Sequence, residues 1–160
     1  MSTLAWTADL ALDQPRMDAT HREFVDLLAA LARTLDDAPA AAGAALQALT
    51  EHTVEHFAQE ERWMVALGYA AENCHAFQHA SVLNVLREVQ RLHAAEADLD
   101  LVRRLATELA QWFPAHAQMM DAALAQTMAE RGYDPETGEL AVPAAADAAP
   151  ITGCGGASCS

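Results

Sequence analysis

The chain is 160 residues long, enough for one domain with its own core, and its 23 acidic against 9 basic residues give a formal net charge of −14. That balance argues against a nucleic-acid ligand and an anionic membrane surface, because both demand basic surface; it favours solubility and leaves cation binding open. No apolar run approaches the ~20 residues that cross a bilayer, and Met1–Trp6 has neither a basic nor an apolar leader pattern, so a cytoplasmic protein is expected.

Trp6 to Met17 mixes Pro15, acidic and apolar residues without a clear period and reads as an extended N-terminal arm. A first helix is expected from near Asp18, with Asp18 or Thr20 as N-cap and Thr20 with Glu23 as a capping box. His21, Phe24, Leu28, Leu31 and Leu35 then form an apolar stripe, and the helix stops near Asp36–Asp37. Pro39 opens a second helix that ends at Leu67, where Gly68 is the stop signal. Its inward stripe is Leu46, Leu49, Thr53, His56, Glu60, Met64 and Leu67.

A turn through Tyr69–Glu72 leads to a third helix from about Asn73 to Ala95, with His75, His79, Val82, Leu86 and Val89 on one face. The fourth runs from near Asp98, a good cap, to Gly132. Four amphipathic helices with short connections mean an all-α, up-down-up-down four-helix bundle. The domain is expected to span residues 1–133. Residues 134–160 form a flexible tail, because the Ala, Gly, Pro and Ser of Val142–Ser160 bury too little apolar surface to order themselves.

Seven residues on the four helices stand out: His21, His56, Glu60, His75, His79, His116 and Asp121. His56–Glu60 and His75–His79 are four apart, so each pair projects from one helix face. Imidazole and carboxylate suit borderline-to-hard transition metals, and seven donors exceed the three or four of a zinc site. The set therefore suggests a two-metal centre.

His93 is excluded because it lies 14 residues beyond His79, ~21 Å along a helix axis. His52, one turn before His56, sits at the edge of the inward stripe, as a core-edge residue with a backbone partner, a partner to a ligand or a proton donor near the centre. Glu61 points ~100° from Glu60 and is read as solvated, and Cys74 is turned from His75 by the same angle. The three cysteines, Cys74, Cys154 and Cys159, do not describe a disulfide framework. A zinc-protease His-Glu-x-x-His is absent, and one Glu72-x-x-His75 is too few for a ferritin-like centre.

From Trp6 to Met128 the chain resembles the hemerythrin family, and specifically its single-domain bacterial members. The resemblance rests on Trp6, Met17-Asp18-x-x-His21, His56-Phe57-x-x-Glu60-Glu61-x-x-Met64, His75-x-x-x-His79 and Trp112-x-x-x-His116-x-x-x-x-Asp121. It implies two non-haem iron ions joined by a solvent-derived oxo or hydroxo group. One iron would be held by His75, His79 and His116, the other by His21 and His56, with Glu60 and Asp121 bridging both. The two-histidine iron then keeps one position open for dioxygen.

The implied function is reversible oxygen binding, for storage or for supply to an oxygen-using enzyme, inside a dry pocket walled by Phe57, Trp112, Phe113, Met119 and Met120. Alternatives are turnover of peroxide or nitric oxide, and sensing. Three features depart from the family. Ala117 replaces a larger aliphatic residue after His116 and is expected to widen access to the iron. Pro114 should bend the fourth helix. The tail cysteines Cys154 and Cys159 fall outside the resemblance, as a metal site, a reversible disulfide, an attachment to a partner, or incidental thiols.

Overall fold

The computed structural model describes residues 4–153 and is helical throughout its domain. Four long helical rods build it: α1 (Pro15–Asp37), α2 (Ala42–Leu67), α3 (Cys74–Glu96), and a fourth made of α4 (Leu99–His116), a π-helical turn (Ala117–Asp121) and α5 (Ala122–Arg131). Successive helices pack on one another and α4 closes the ring against α1, giving the expected four-helix bundle. No helix of the described residues is long and apolar enough to cross a membrane.

The helix boundaries follow from local chemistry. Asn73 and Asp98 cap α3 and α4 by accepting from Ala76 N–H at 2.9 Å and Leu101 N–H at 2.9 Å. Gly68 ends α2 with φ +86°, a backbone that a side chain would strain. The start of α1 differs from the sequence expectation. Pro15 occupies the first helical position and Gln14 caps it by accepting from Met17 N–H at 2.7 Å. Thr20 lies inside the helix, its hydroxyl donating to Arg16 O, while Asp18 accepts from Leu12 N–H and ties down the arm. The arm is further fastened by buried Leu10 and by Arg22 stacked 4.9 Å over the Trp6 ring.

Two apolar clusters divide the interior. One joins Phe24, Leu28, Leu31, Leu46, Leu49, Leu86, Leu105, Leu109 and Phe113; the other joins Met17, Trp63, Met64, Leu67, Leu124 and Met128. On α1, α2 and the fourth rod, the polar positions highlighted above fall between the two clusters. Side chains that would each cost free energy alone in an apolar interior are thus gathered into one buried layer.

The described part of the tail has fixed partners that its composition did not suggest. Ala70 N–H donates to Ile151 O, Ile151 N–H to Gly68 O and Cys74 N–H to Thr152 O, all within 2.8–3.1 Å. Cys74 is disulfide-bonded, contrary to the reading of its sequence, and the other two cysteines, Cys154 and Cys159, lie outside the described residues. Cysteine usage therefore gives no argument for a reducing compartment.

Candidate metal centre

The seven highlighted residues meet at one depth of the bundle, each almost wholly shielded from solvent: His21, Glu60, His79 and Asp121 are 0% exposed, His75 1%, His116 2% and His56 3%. All five imidazoles turn Nε2 inward. Their donors fall into two groups that could each surround an ion: Glu60, His75, His79, His116 and Asp121 in one, and His21, His56 and Glu60 in the other.

The carboxylates connect the two groups. Glu60 Oε1 stands 3.4 Å from His21 Nε2 and 2.9 Å from His56 Nε2, while its Oε2 stands 3.3 Å from His75 Nε2 and 3.2 Å from His79 Nε2. Asp121 divides in the same way. Its Oδ2 is 3.2 Å from His21 Nε2, and its Oδ1 is 2.9 Å from His75 Nε2 and 3.2 Å from His116 Nε2. Each carboxylate offers one oxygen to either side.

These contacts have ion-pair distances but mostly lack hydrogen-bond directions. Among the described residues, Nε2 of His21, His75, His79 and His116, Glu60 Oε2 and both Asp121 oxygens are buried without a hydrogen-bond partner, and only His56 Nε2 and Glu60 Oε1 are aligned as a hydrogen bond. Leaving so many groups unsatisfied costs about 1–3 kcal/mol each. Donors ~2.1 Å from a common ion and at right angles to each other stand ~3.0 Å apart, which matches the spacings seen. The residues fit metal ions between them better than they fit one another.

Electrostatics agree with that fit. Burial would raise the pKa values of Glu60 and Asp121, but the surrounding histidines overcome it and hold both carboxyls far below their ordinary range. Burial opposes charge on His21 and His75, yet Asp121 and Glu60 raise both to about 9. For His116 burial wins and the pKa falls. The paired carboxylates create a negative centre that attracts protons or metal cations.

The fourth rod needed a distortion to bring Asp121 inward. Five residues along an α-helix turn a side chain ~140° away. The segment Ala117–Asp121 instead winds as a π turn, in which Ala122 N–H donates to Ala117 O, so His116 and Asp121 share a face. Pro114 sits within α4, three residues before the π turn begins.

The wall of the site is aromatic. Phe57 stacks on His79 with centroids 3.8 Å apart and an interplanar angle of 4°, Trp112 stacks on His116 at 4.3 Å, and Phe113 meets His21 edge-on at 5.1 Å. Phe24, a helix-stripe residue in the sequence, also belongs here, packed 4.7 Å from Phe113 and 6.3 Å from His56. Met119 does not: it is 68% exposed. Ala117 is fully buried beside Phe113 in the larger apolar cluster.

His93 lies at the far end of α3, near Asp98 O and packed by Gly43. His52 joins neither donor group; its Nε2 lies 3.2 Å from Thr20 O and its Nδ1 3.6 Å from Glu23. Glu61 is not simply solvated, because its Oε1 lies 3.4 Å from His79 Nδ1. Sequence reading missed Gln78, whose Oε1 lies 2.8 Å from His116 Nδ1. The only signal available was its position in the turn that separates His75 from His79.

A family model described as the hemerythrin HHE cation binding domain matches residues 14–127. The chain is 40% identical over 134 residues to a bacteriohemerythrin of Ralstonia nicotianae, covering 84% of this chain and 95% of that one. It is 30% identical over 128 residues to a bacteriohemerythrin of Stenotrophomonas maltophilia, covering 78% and 81%.

Proposed function

Because the chain belongs to the hemerythrin family, we propose that it binds dioxygen reversibly at a non-haem di-iron centre, for storage or for delivery to an oxygen-using enzyme. The observation that carries this reading is the division of Glu60 and Asp121, each with one oxygen toward the His75 side and the other toward His21. In this reading His75, His79 and His116 hold one iron, His21 and His56 the other, and the two carboxylates bridge them. When bound, the ferrous pair supplies two electrons to dioxygen and recovers them on release.

The protein side chains set the conditions for reversibility. The two-histidine half has fewer donors than the three-histidine half, which supports assigning dioxygen to that half. Phe24 and Phe113 pack beside His56 and His21 there and exclude water. Exclusion matters because water and protons promote irreversible loss of the electrons. The buried carboxylates stay ionised and keep the positive ions compensated.

Anaerobic reduction followed by exposure to oxygen tests the proposal. Two irons per chain and a di-iron absorption spectrum that cycles with oxygen pressure are expected. Fewer irons, or immediate conversion to the oxidised state, would sink it.

One observation favours a second reading, turnover of peroxide or nitric oxide. A cavity of about 440 Å³, lined by Arg16, Thr20, Glu23, His52, Glu55, His56 and Gln59, brings polar groups to the back of His56. Steady-state consumption of either substrate that disappears in His52→Ala, with iron content retained, would support this reading over the carrier.

A further inference from the structure

The outward nitrogens of the five imidazoles are treated unequally by the fold. His116 Nδ1 lies 2.8 Å from Gln78 Oε1, and His79 Nδ1 lies 3.4 Å from Glu61 Oε1. Nδ1 of His21, His56 and His75 is buried with no hydrogen-bond partner among the described residues. Both supported rings belong to the three-histidine half. Both are also clamped on a face, His79 by Phe57 and His116 by Trp112.

An outward acceptor decides which inward nitrogen is available. A carboxylate only accepts, so Glu61 keeps the proton of neutral His79 on Nδ1 and leaves the Nε2 lone pair facing the site. Gln78 does the same for His116 when its carbonyl faces the ring. If the amide were reversed, its NH₂ would donate to Nδ1 and put a proton on the inward Nε2, where it would block a metal ion. In the structure it is Gln78 Oε1 that faces the ring, and the stacked Trp112 holds that ring in place.

We propose that Gln78 is a positioning residue that fixes the tautomer of His116, and that with Glu61 it makes the three-histidine half the first to take up a metal ion. The inference rests on the di-iron reading. In it, the half that supports two of its three imidazoles from outside binds first and tightest. The other half, whose rings have no such support, binds second and is completed by carboxylates that the first ion has already oriented.

Calorimetric titration of the metal-free protein with ferrous ion under anaerobic conditions tests this without reference to oxygen binding. Wild type should show two steps. His21→Ala should abolish the weaker step and keep the tighter one. Gln78→Leu should weaken the tighter step 10–100-fold, the range lost with such supporting contacts, and Gln78→Glu, which restores an acceptor, should recover it.

Melting of each metal-free variant separates a folding defect from a tautomer effect, and Gln78→Leu is expected to melt close to wild type. An unchanged tight step in Gln78→Leu, an equal loss in Gln78→Leu and Gln78→Glu, or loss of the tight step in His21→Ala would each overturn the inference. Wild type that binds no iron pair would instead refute the di-iron reading itself.

Discussion

His116 and Asp121 are five residues apart, yet His116 Nε2 stands 3.2 Å from Asp121 Oδ1 because Ala117–Asp121 winds as a π turn. The distortion places one carboxylate within reach of His21, His75 and His116 at once. Asp121→Ala removes that shared donor without altering the helix propensity unfavourably. It is expected to reduce bound iron from a pair to one ion or none, read by metal analysis of protein reconstituted anaerobically. Retention of the full pair would show that Asp121 is not a bridging ligand.

Phe57 connects the site to the packing. It is buried, parallel to His79 at 3.8 Å, and edge-on to Trp112 at 6.2 Å. Phe57→Ala should cost about 3–5 kcal/mol in the metal-free protein, the range for truncating a buried aromatic. The same change frees the His79 ring and should loosen iron. Denaturant unfolding checks the first effect and competition with a chelator the second. A loss below about 1 kcal/mol would mean that the neighbouring side chains collapse into the space.

Much of the bundle was legible because burial repeats with the helical period. Every residue of the α2 stripe from Leu46 to Leu67 is buried. Asn73, Asp98 and Gly68 marked ends by chemistry that acts within a single turn. The π turn was not legible, since backbone register inside a helix leaves no mark on side-chain type; only the awkward spacing of His116 and Asp121 hinted at it. The start of α1 was misplaced because Thr20 and Glu23 imitate a capping box, while Gln14 is a less common cap. The contacts of Gln78 and Glu61 depend on how neighbouring helices face each other, and no periodicity within one helix encodes that.

Ala117 offers a test of how tightly the pocket is closed. It is fully buried at the first position of the π turn, directly after His116. Ala117→Leu adds bulk to a packed site and should destabilise the protein by about 1–3 kcal/mol. The same bulk should narrow access to the irons and lengthen the lifetime of the oxygenated protein. Autoxidation followed by absorption compares the two proteins directly. Equal lifetimes would show that residue 117 does not control access.

Protons and iron should give the protein opposite responses to pH. Burial alone would lower the pKa values of His21 and His75, but contacts with Asp121 and Glu60 raise them from 6.5 to about 9. Such groups hold protons more tightly in the folded state. Their contribution to stability is complete below pH 6.5 and is lost as pH rises through about 9. Glu60 and Asp121 shift the other way, so their contribution is present above the ordinary values of 4.5 and 3.8 and fades on acidification. His21, His75, Glu60 and Asp121 should therefore together stabilise the metal-free protein best at about pH 5–6 and lose that support toward about pH 9. His116, whose pKa burial lowers, opposes them on acidification. Iron needs Nε2 without its proton, so it competes with the protons on His21 and His75 and binds more tightly over the same rise. The gap in Tm between iron-loaded and metal-free protein should widen from about pH 6 to about pH 9. Anaerobic melts across that interval measure it. A metal-free Tm that climbs steadily with pH would contradict the raised histidines, and a constant gap would show that protons and iron do not compete for them.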